Sequence, residues 1–134
     1  MPLITEEEEK RLFEKLKAYY ERLYGIPFRA EKTILTPAEI GELHYTYPGE
    51  EVEATFEEKV ADIEAALSAG YNVPVIILRK EKQGKNIILD GHRRLRVAWR
   101  RRIPWPAFLL IPLKEIDFAI EKTITGKIGE LWKS

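Results

Sequence analysis

Apolar residues along the chain fall into alternating helical and extended rhythms. Leu12, Phe13, Leu16, Tyr19, Tyr20 and Leu23 recur at helical spacing. Thr5 with Glu8 forms a capping box ahead of them, acids crowd the positive end of the helix dipole, and Gly25 is placed to stop the helix. The tyrosine-rich stripe reads as packing surface, and the helix could also dock a second copy of the chain in a homodimer. Residues 26–35 read as a connection and a short strand ending at Ile34-Leu35. Thr36-Pro37 then starts a helix, with Thr36 as N-cap and Pro37 at the first helical position. Gly41 to Glu53 has no period and is expected to be a loop, with His44 exposed or lining a pocket mouth.

A second capping box, Thr55 with Glu58, predicts a helix with Phe56, Val60, Ile63 and Leu67 as its stripe and Gly70 as its stop. Val73 to Leu78 is an apolar run of the buried-strand kind, Lys82-Gln83-Gly84-Lys85 a polar turn, and Asn86 to Leu89 a second buried strand, so the pair predicts a hairpin. A basic helix runs from about His92 to Arg101. Pro104-Trp105-Pro106 breaks it, Ala107 to Ile111 is a further strand, and Pro112 ends that. A last amphipathic helix with Leu113, Ile116, Phe118 and Ile120 leads to a tail closing on Leu131-Trp132. The elements predict an α+β domain, a small mixed sheet flanked by helices with an extra amphipathic helix at the N-terminus. Residues 1–30 form that extension, 31–112 the core, and 113–134 a C-terminal helix and tail.

Composition narrows the chemistry. The 134 residues contain no cysteine, which excludes disulfides, thiolate metal sites and cysteine nucleophiles and fits a reducing cytosol. No window approaches the roughly 18 apolar residues that cross a bilayer, and the acidic start is unlike a secretory signal. A cytoplasmic protein with no membrane partner is expected. Abundant Glu and Lys with a single Met resembles a thermophile bias.

A net charge of zero hides an asymmetry. Residues 1–78 carry 8 Lys/Arg against 16 Asp/Glu, a balance of −8, while residues 79–134 carry 14 against 6, a balance of +8. Arg79 to Arg102 alone holds 10 basic residues, with only Glu81 and Asp90 as acids. Such a stretch attracts phosphate, from a nucleotide or from nucleic acid, unless it is merely a solvated face.

The densest chemistry is the turn Asp90-Gly91-His92-Arg93-Arg94. A helix start presents unpaired amides and a positive dipole end to an anion. Gly91 lets the backbone approach closely or take a positive φ. His92, Arg93, Arg94 and Arg96 add phosphate donors. Asp90, at the end of a strand, is placed to hold a metal ion such as Mg²⁺ or to orient an arginine; it could also simply cap the helix. Trp99, Trp105 and Trp132 could stack on bases, although Trp99 and Trp105 read as core or rim.

From Val73 to Leu78, through Ile87-Ile88-Leu89-Asp90-Gly91-His92-Arg93-Arg94-Leu95-Arg96-Val97-Ala98, to Ile103-Pro104 and the strand after it, the chain resembles the ParB N-terminal domain/sulfiredoxin superfamily. The resemblance covers roughly residues 31–112 and is sharpest at Gly91 to Ala98. It implies a nucleotide gripped by the first turn of the helix. Sulfiredoxins place a cysteine where this chain has Gly91, so sulfinic-acid reduction is excluded. ParB proteins usually have Glu at the position of His92 and continue into a helix-turn-helix domain. In motif the chain is most similar to the archaeal ADP-dependent free-serine kinases, which carry Asp-Gly-His-His-Arg. The similarity implies Asp90 and His92 as catalytic residues. It also makes Glu50, in Pro48-Gly49-Glu50, a general base toward a small hydroxyl-bearing acceptor, with Glu51 as its neighbour. The expected ligand is a nucleoside di- or triphosphate with Mg²⁺. The alternative is a non-catalytic nucleic-acid-binding or regulatory module.

Overall fold

In a computed structural model, residues 3–46, 53–80 and 84–132 are described, with the side chains of 53–56 excepted. The polar turn at Lys82-Gln83 and the loop residues Tyr47 to Glu51, Glu50 included, lie outside the described residues.

Helix α1 (Glu6–Tyr24) begins at the expected capping box and ends at Gly25 in the left-handed region. Strand β1 (Phe28–Leu35) is longer than the sequence suggests. Its middle is charged, and only its end residues Phe28 and Leu35 are buried, as suits a sheet edge, where solvated charges discourage further pairing. The short α2 (Pro37–Gly41) starts at a full Thr36/Glu39 capping box. Strand β2 (His44–Tyr45) follows at once, so the stretch read as loop contains a strand. Two residues are too few to show a period, and their pairing comes from distant strands. Helix α3 (Glu53–Ala66) already runs before Thr55, which places Thr55 inside the helix rather than at its cap. Val60 and Ile63 are buried as the stripe requires.

The hairpin of β3 (Val75–Lys80) and β4 (Lys85–Asp90) is antiparallel. Helix α4 (His92–Arg101) leaves directly from β4. Strand β5 (Trp105–Pro112) includes Trp105 and Pro106, which the sequence reading treated as a break. Pro106 pairs only toward β1, because the β3 pairing starts at Ala107, and a strand end with one neighbour tolerates proline.

The expected C-terminal amphipathic helix is replaced by a 3-10 turn (Ala119–Thr123), strand β6 (Gly126–Lys127) and α5 (Ile128–Leu131). The cause is tertiary. Lys80, wholly buried at the end of β3, draws both carboxylate oxygens of Glu121 to 3.0 Å. Glu121 also accepts from the Phe118 amide at 2.6 Å, and Phe118 is buried.

The result is an α+β arrangement around one mixed six-stranded sheet, in the order β1-β5-β3-β4-β2-β6. Pairs β3–β5 and β2–β4 are parallel; β1–β5, β3–β4 and β2–β6 are antiparallel. Alternation along the strands gives the sheet two apolar faces. One carries Leu35, Val75, Ile77, Ile88, Ala107 and Leu109 together with residues of α2, α3 and α4. The other carries Phe28, Ile76, Leu78, Ile87, Phe108 and Leu110 with Phe13 and Tyr20 of α1. Most of the α1 stripe is therefore used within the chain, leaving Tyr19 and Leu23 exposed. Among the described residues no helix is long and apolar enough to cross a membrane.

Candidate functional site

Strand β4 runs through the buried Ile87 and Ile88 to Asp90, and the chain then turns through Gly91 into α4. Gly91 is the helix N-cap, with φ 109° and no side-chain cap hydrogen bond. A Cβ there would lie 2.3 Å from Val75 Cγ1, on the neighbouring strand, and 3.2 Å from Arg94 Nη2. Glycine is demanded both by conformation and by space. Asp90 is therefore not the cap, and its carboxylate is free for another task.

That task is Arg94. Arg94 is only 5% exposed, and its guanidinium points into the protein rather than to an open helix start. Nη1 donates to the carbonyl oxygens of Pro74 at 2.7 Å and Val73 at 3.4 Å. Nη2 lies 2.7 Å from Glu9 Oε2 and 3.0 Å from Asp90 Oδ2. Arg94, expected to grip phosphate, is thus committed to the seam between α1, β4 and α4. Of the two roles foreseen for Asp90, the structure shows the orienting of an arginine. No group of three or more His, Asp or Glu among the described residues is placed to hold a metal ion, and Asp90 and Glu9 are both bound to Arg94. These residues do not make a Mg²⁺ site.

His92 and Arg96, one helical turn apart, lie on a different face of α4. The His92 ring meets Tyr45 edge-on at 4.8 Å, Tyr45 meets Trp132 at 4.9 Å, and the Arg96 guanidinium sits 5.2 Å from the Trp132 ring. Tyr45 is brought there by β2, whose neighbour in the pairing with β4 is His44 opposite Ile87. Trp132 is brought there by the C-terminal segment. Its carbonyl accepts from Trp99 Nε1 at 2.7 Å, the Ile128 amide donates to the Leu43 carbonyl, and the Trp99 ring packs so closely on Gly41 that a Cβ would come within 2.8 Å. His92 Nε2 and Arg96 Nη1 are both buried without a hydrogen-bond partner among the described residues, an uncommon state that calls for a ligand or a further partner. Burial holds the His92 imidazole below its usual range, partly offset by the Asp90 charge and the Thr46 backbone. Arg93 is half-buried.

No protein-family model matches this chain, and no curated protein or solved structure does. The site must be judged on its own chemistry.

The outer arginines of α4 are occupied. Arg100 lies 3.6 Å from both Glu57 and Glu64, and Arg101 lies 3.1 Å from Glu64. Arg102 stacks on Trp99 at 3.8 Å. Trp105 is buried and donates to the Val73 carbonyl, so it is core. His44 is half-buried on β2, and burial lowers its basicity.

Trp132, an aromatic the sequence offers for stacking on bases, lies in this neighbourhood, whereas Glu9 and Tyr45 escape a reading of the sequence. Only Glu9 had a signal. It precedes Phe13, Leu16 and Tyr20 at helical intervals, so it stands on the apolar stripe of α1, where an acid needs a buried partner.

Proposed function

We propose that the chain binds a phosphate-bearing ligand, a nucleoside di- or triphosphate, on the first turn and a half of α4. The observation that carries this reading is the buried, unpartnered donor Arg96 Nη1, with the equally unpartnered His92 Nε2 one helical turn away, beside a helix start that no side chain caps. An anion there meets backbone amides, the positive end of a ten-residue helix and a guanidinium with donors to spare. Tyr45 and Trp132 supply aromatic faces beside those donors, as a base or sugar ring requires. The resemblance of Gly91 to Ala98 to the ParB/sulfiredoxin superfamily points the same way. In this reading Gly91, His92, Arg93 and Arg96 touch the ligand, while Asp90 and Arg94 hold the turn in shape.

The α3 acids beside Arg100 and Arg101 weaken the rival picture of a basic track for nucleic acid, because those charges are already balanced. A thermal-shift screen of ADP, ATP, CTP and GTP, with and without Mg²⁺, tests the proposal. A ligand that binds the folded state raises its melting temperature with concentration. No shift with any of the four at millimolar concentration, together with none for pyrophosphate, removes it.

A further inference from the structure

Glu9 has no role in the ligand reading, yet it is among the most confined polar groups in the molecule. It is 0% exposed. Its Oε2 shares Arg94 Nη2 with Asp90 Oδ2, and its Oε1 is buried with no hydrogen-bond partner among the described residues. Two full carboxylates on one guanidinium leave a net negative charge in this seam, with one oxygen unsolvated. A single added proton removes both faults. It makes the trio neutral, and it turns one acceptor-only carboxylate into a donor, which two facing acids require if they are to hydrogen-bond at all.

We propose that Glu9 and Asp90 share one proton beside Arg94, and that this proton latches α1 onto the β4–α4 turn, the latch contributing less stability as pH rises and nothing once the proton is lost. Glu9 is wholly buried while the Asp90 side chain is 38% exposed, so the proton resides on Glu9. Burial, then the hydrogen bond and charge of Asp90, push the Glu9 carboxyl up to about 8, against the opposing pull of Arg94. Asp90 and Arg94 are the charged groups that set it. Asp90 comes from β4 and Arg94 from α4, the rest of whose guanidinium is spent on the Val73 and Pro74 carbonyls. Tyr71, from the segment before β3, donates to the Ile4 carbonyl at 3.0 Å. Burial raises its phenol further above an already alkaline range, so Tyr71 stays neutral throughout. Glu8, the acid next to Glu9 on α1, is turned to the Thr5 cap.

The sign follows from linkage. A group whose folded pKa lies above its unfolded value contributes stability that is complete below the unfolded value, near 4.5, and is lost as pH rises through the folded one. The latch therefore fades between about pH 4.5 and 8 and is gone above that range. None of this depends on a ligand at the start of α4.

The test is thermal unfolding of the full, ligand-free chain from pH 5 to 9.5, for the native protein and for Glu9→Gln, whose amide imitates the protonated acid. The expected result is that Glu9→Gln gains steadily on the native protein as pH rises and is the more stable of the two at pH 9. Parallel curves overturn the proposal. Should Glu9→Gln fail to fold, carboxyl ¹³C NMR of glutamate-labelled native protein decides. One glutamate carbon titrating above pH 7 supports the shared proton, and none titrating above pH 6 overturns it. Both readouts are taken without nucleotide, so an absent ligand response leaves this test intact.

Discussion

Gly91 lies directly against Val75: a Cβ on the glycine would fall 2.3 Å from the valine Cγ1. That approach closes β4 onto β3 just where α4 begins, and Val75 is itself fully buried, so it has nowhere to retreat. Gly91→Ala combines a strained left-handed backbone with an overpacked core. Each is worth about 1–3 kcal/mol, so the expected loss is roughly 2–6 kcal/mol, read by urea denaturation. A loss below about 1 kcal/mol would falsify the close approach.

Arg94 ties α1 to the turn through Glu9 and Asp90. Arg94→Met keeps the aliphatic stem and leaves both acids without their cation. Breaking a buried pair in this way costs about 3–5 kcal/mol. Arg94→Lys should not rescue it, since an ammonium cannot reach two carbonyls and two carboxylates with one planar fork. Full stability in the lysine variant would show that the fork geometry is unimportant.

Arg96 has a light structural role and a heavy proposed one. Arg96→Ala loses the contact with Trp132, about 0.5–1 kcal/mol in exposed settings. Nucleotide affinity should fall by roughly 10-fold or more, the value of about 1.5–3 kcal/mol for a hydrogen bond to a charged group. Arg101→Ala, at the other end of the helix and paired with Glu64, serves as the control and should leave affinity unchanged. Titration calorimetry compares the two, and equal losses would mean that α4 attracts the ligand only by its overall charge.

His92 is a pH-dependent element of the opposite sign to Glu9. Its folded basicity is lowered by burial, so the stability it contributes is present above its unfolded value of 6.5 and is lost as pH falls below it. His92→Phe keeps an aromatic ring against Tyr45 and cannot be protonated. The native protein should lose stability relative to this variant between pH 7.5 and 5, and an unchanging difference across that range would show that His92 does not titrate there.

Much of the framework was legible in local sequence because its causes are local. The Thr5/Glu8 box, the Thr36 N-cap with Pro37 after it, the stop at Gly25, the hairpin before Asp90 and the helix from His92 each depend on residues within a few positions of one another. The run from Val75 to Leu78 announced a strand covered on both faces, because continuous apolar sequence suits little else at that length. What the sequence could not convey was where charged side chains spend their donors. Glu9 and Arg94 are separated by 85 positions, and Lys80 and Glu121 by 41. Each pair decides a local outcome, the inward turn of Arg94 in one case and the loss of a C-terminal helix in the other. Tyr45 and Trp132 meet His92 and Arg96 through a two-residue strand and a carbonyl contact that leave no periodic trace.

Residue order alone therefore determined that a glycine-hinged, arginine-rich helix follows a buried strand, since capping, periodicity and backbone freedom act over a few bonds. Only the tertiary structure decided which arginine faces inward and which donors are left over, because burying a charge is tolerable only beside partners that the fold, and not the neighbouring sequence, supplies.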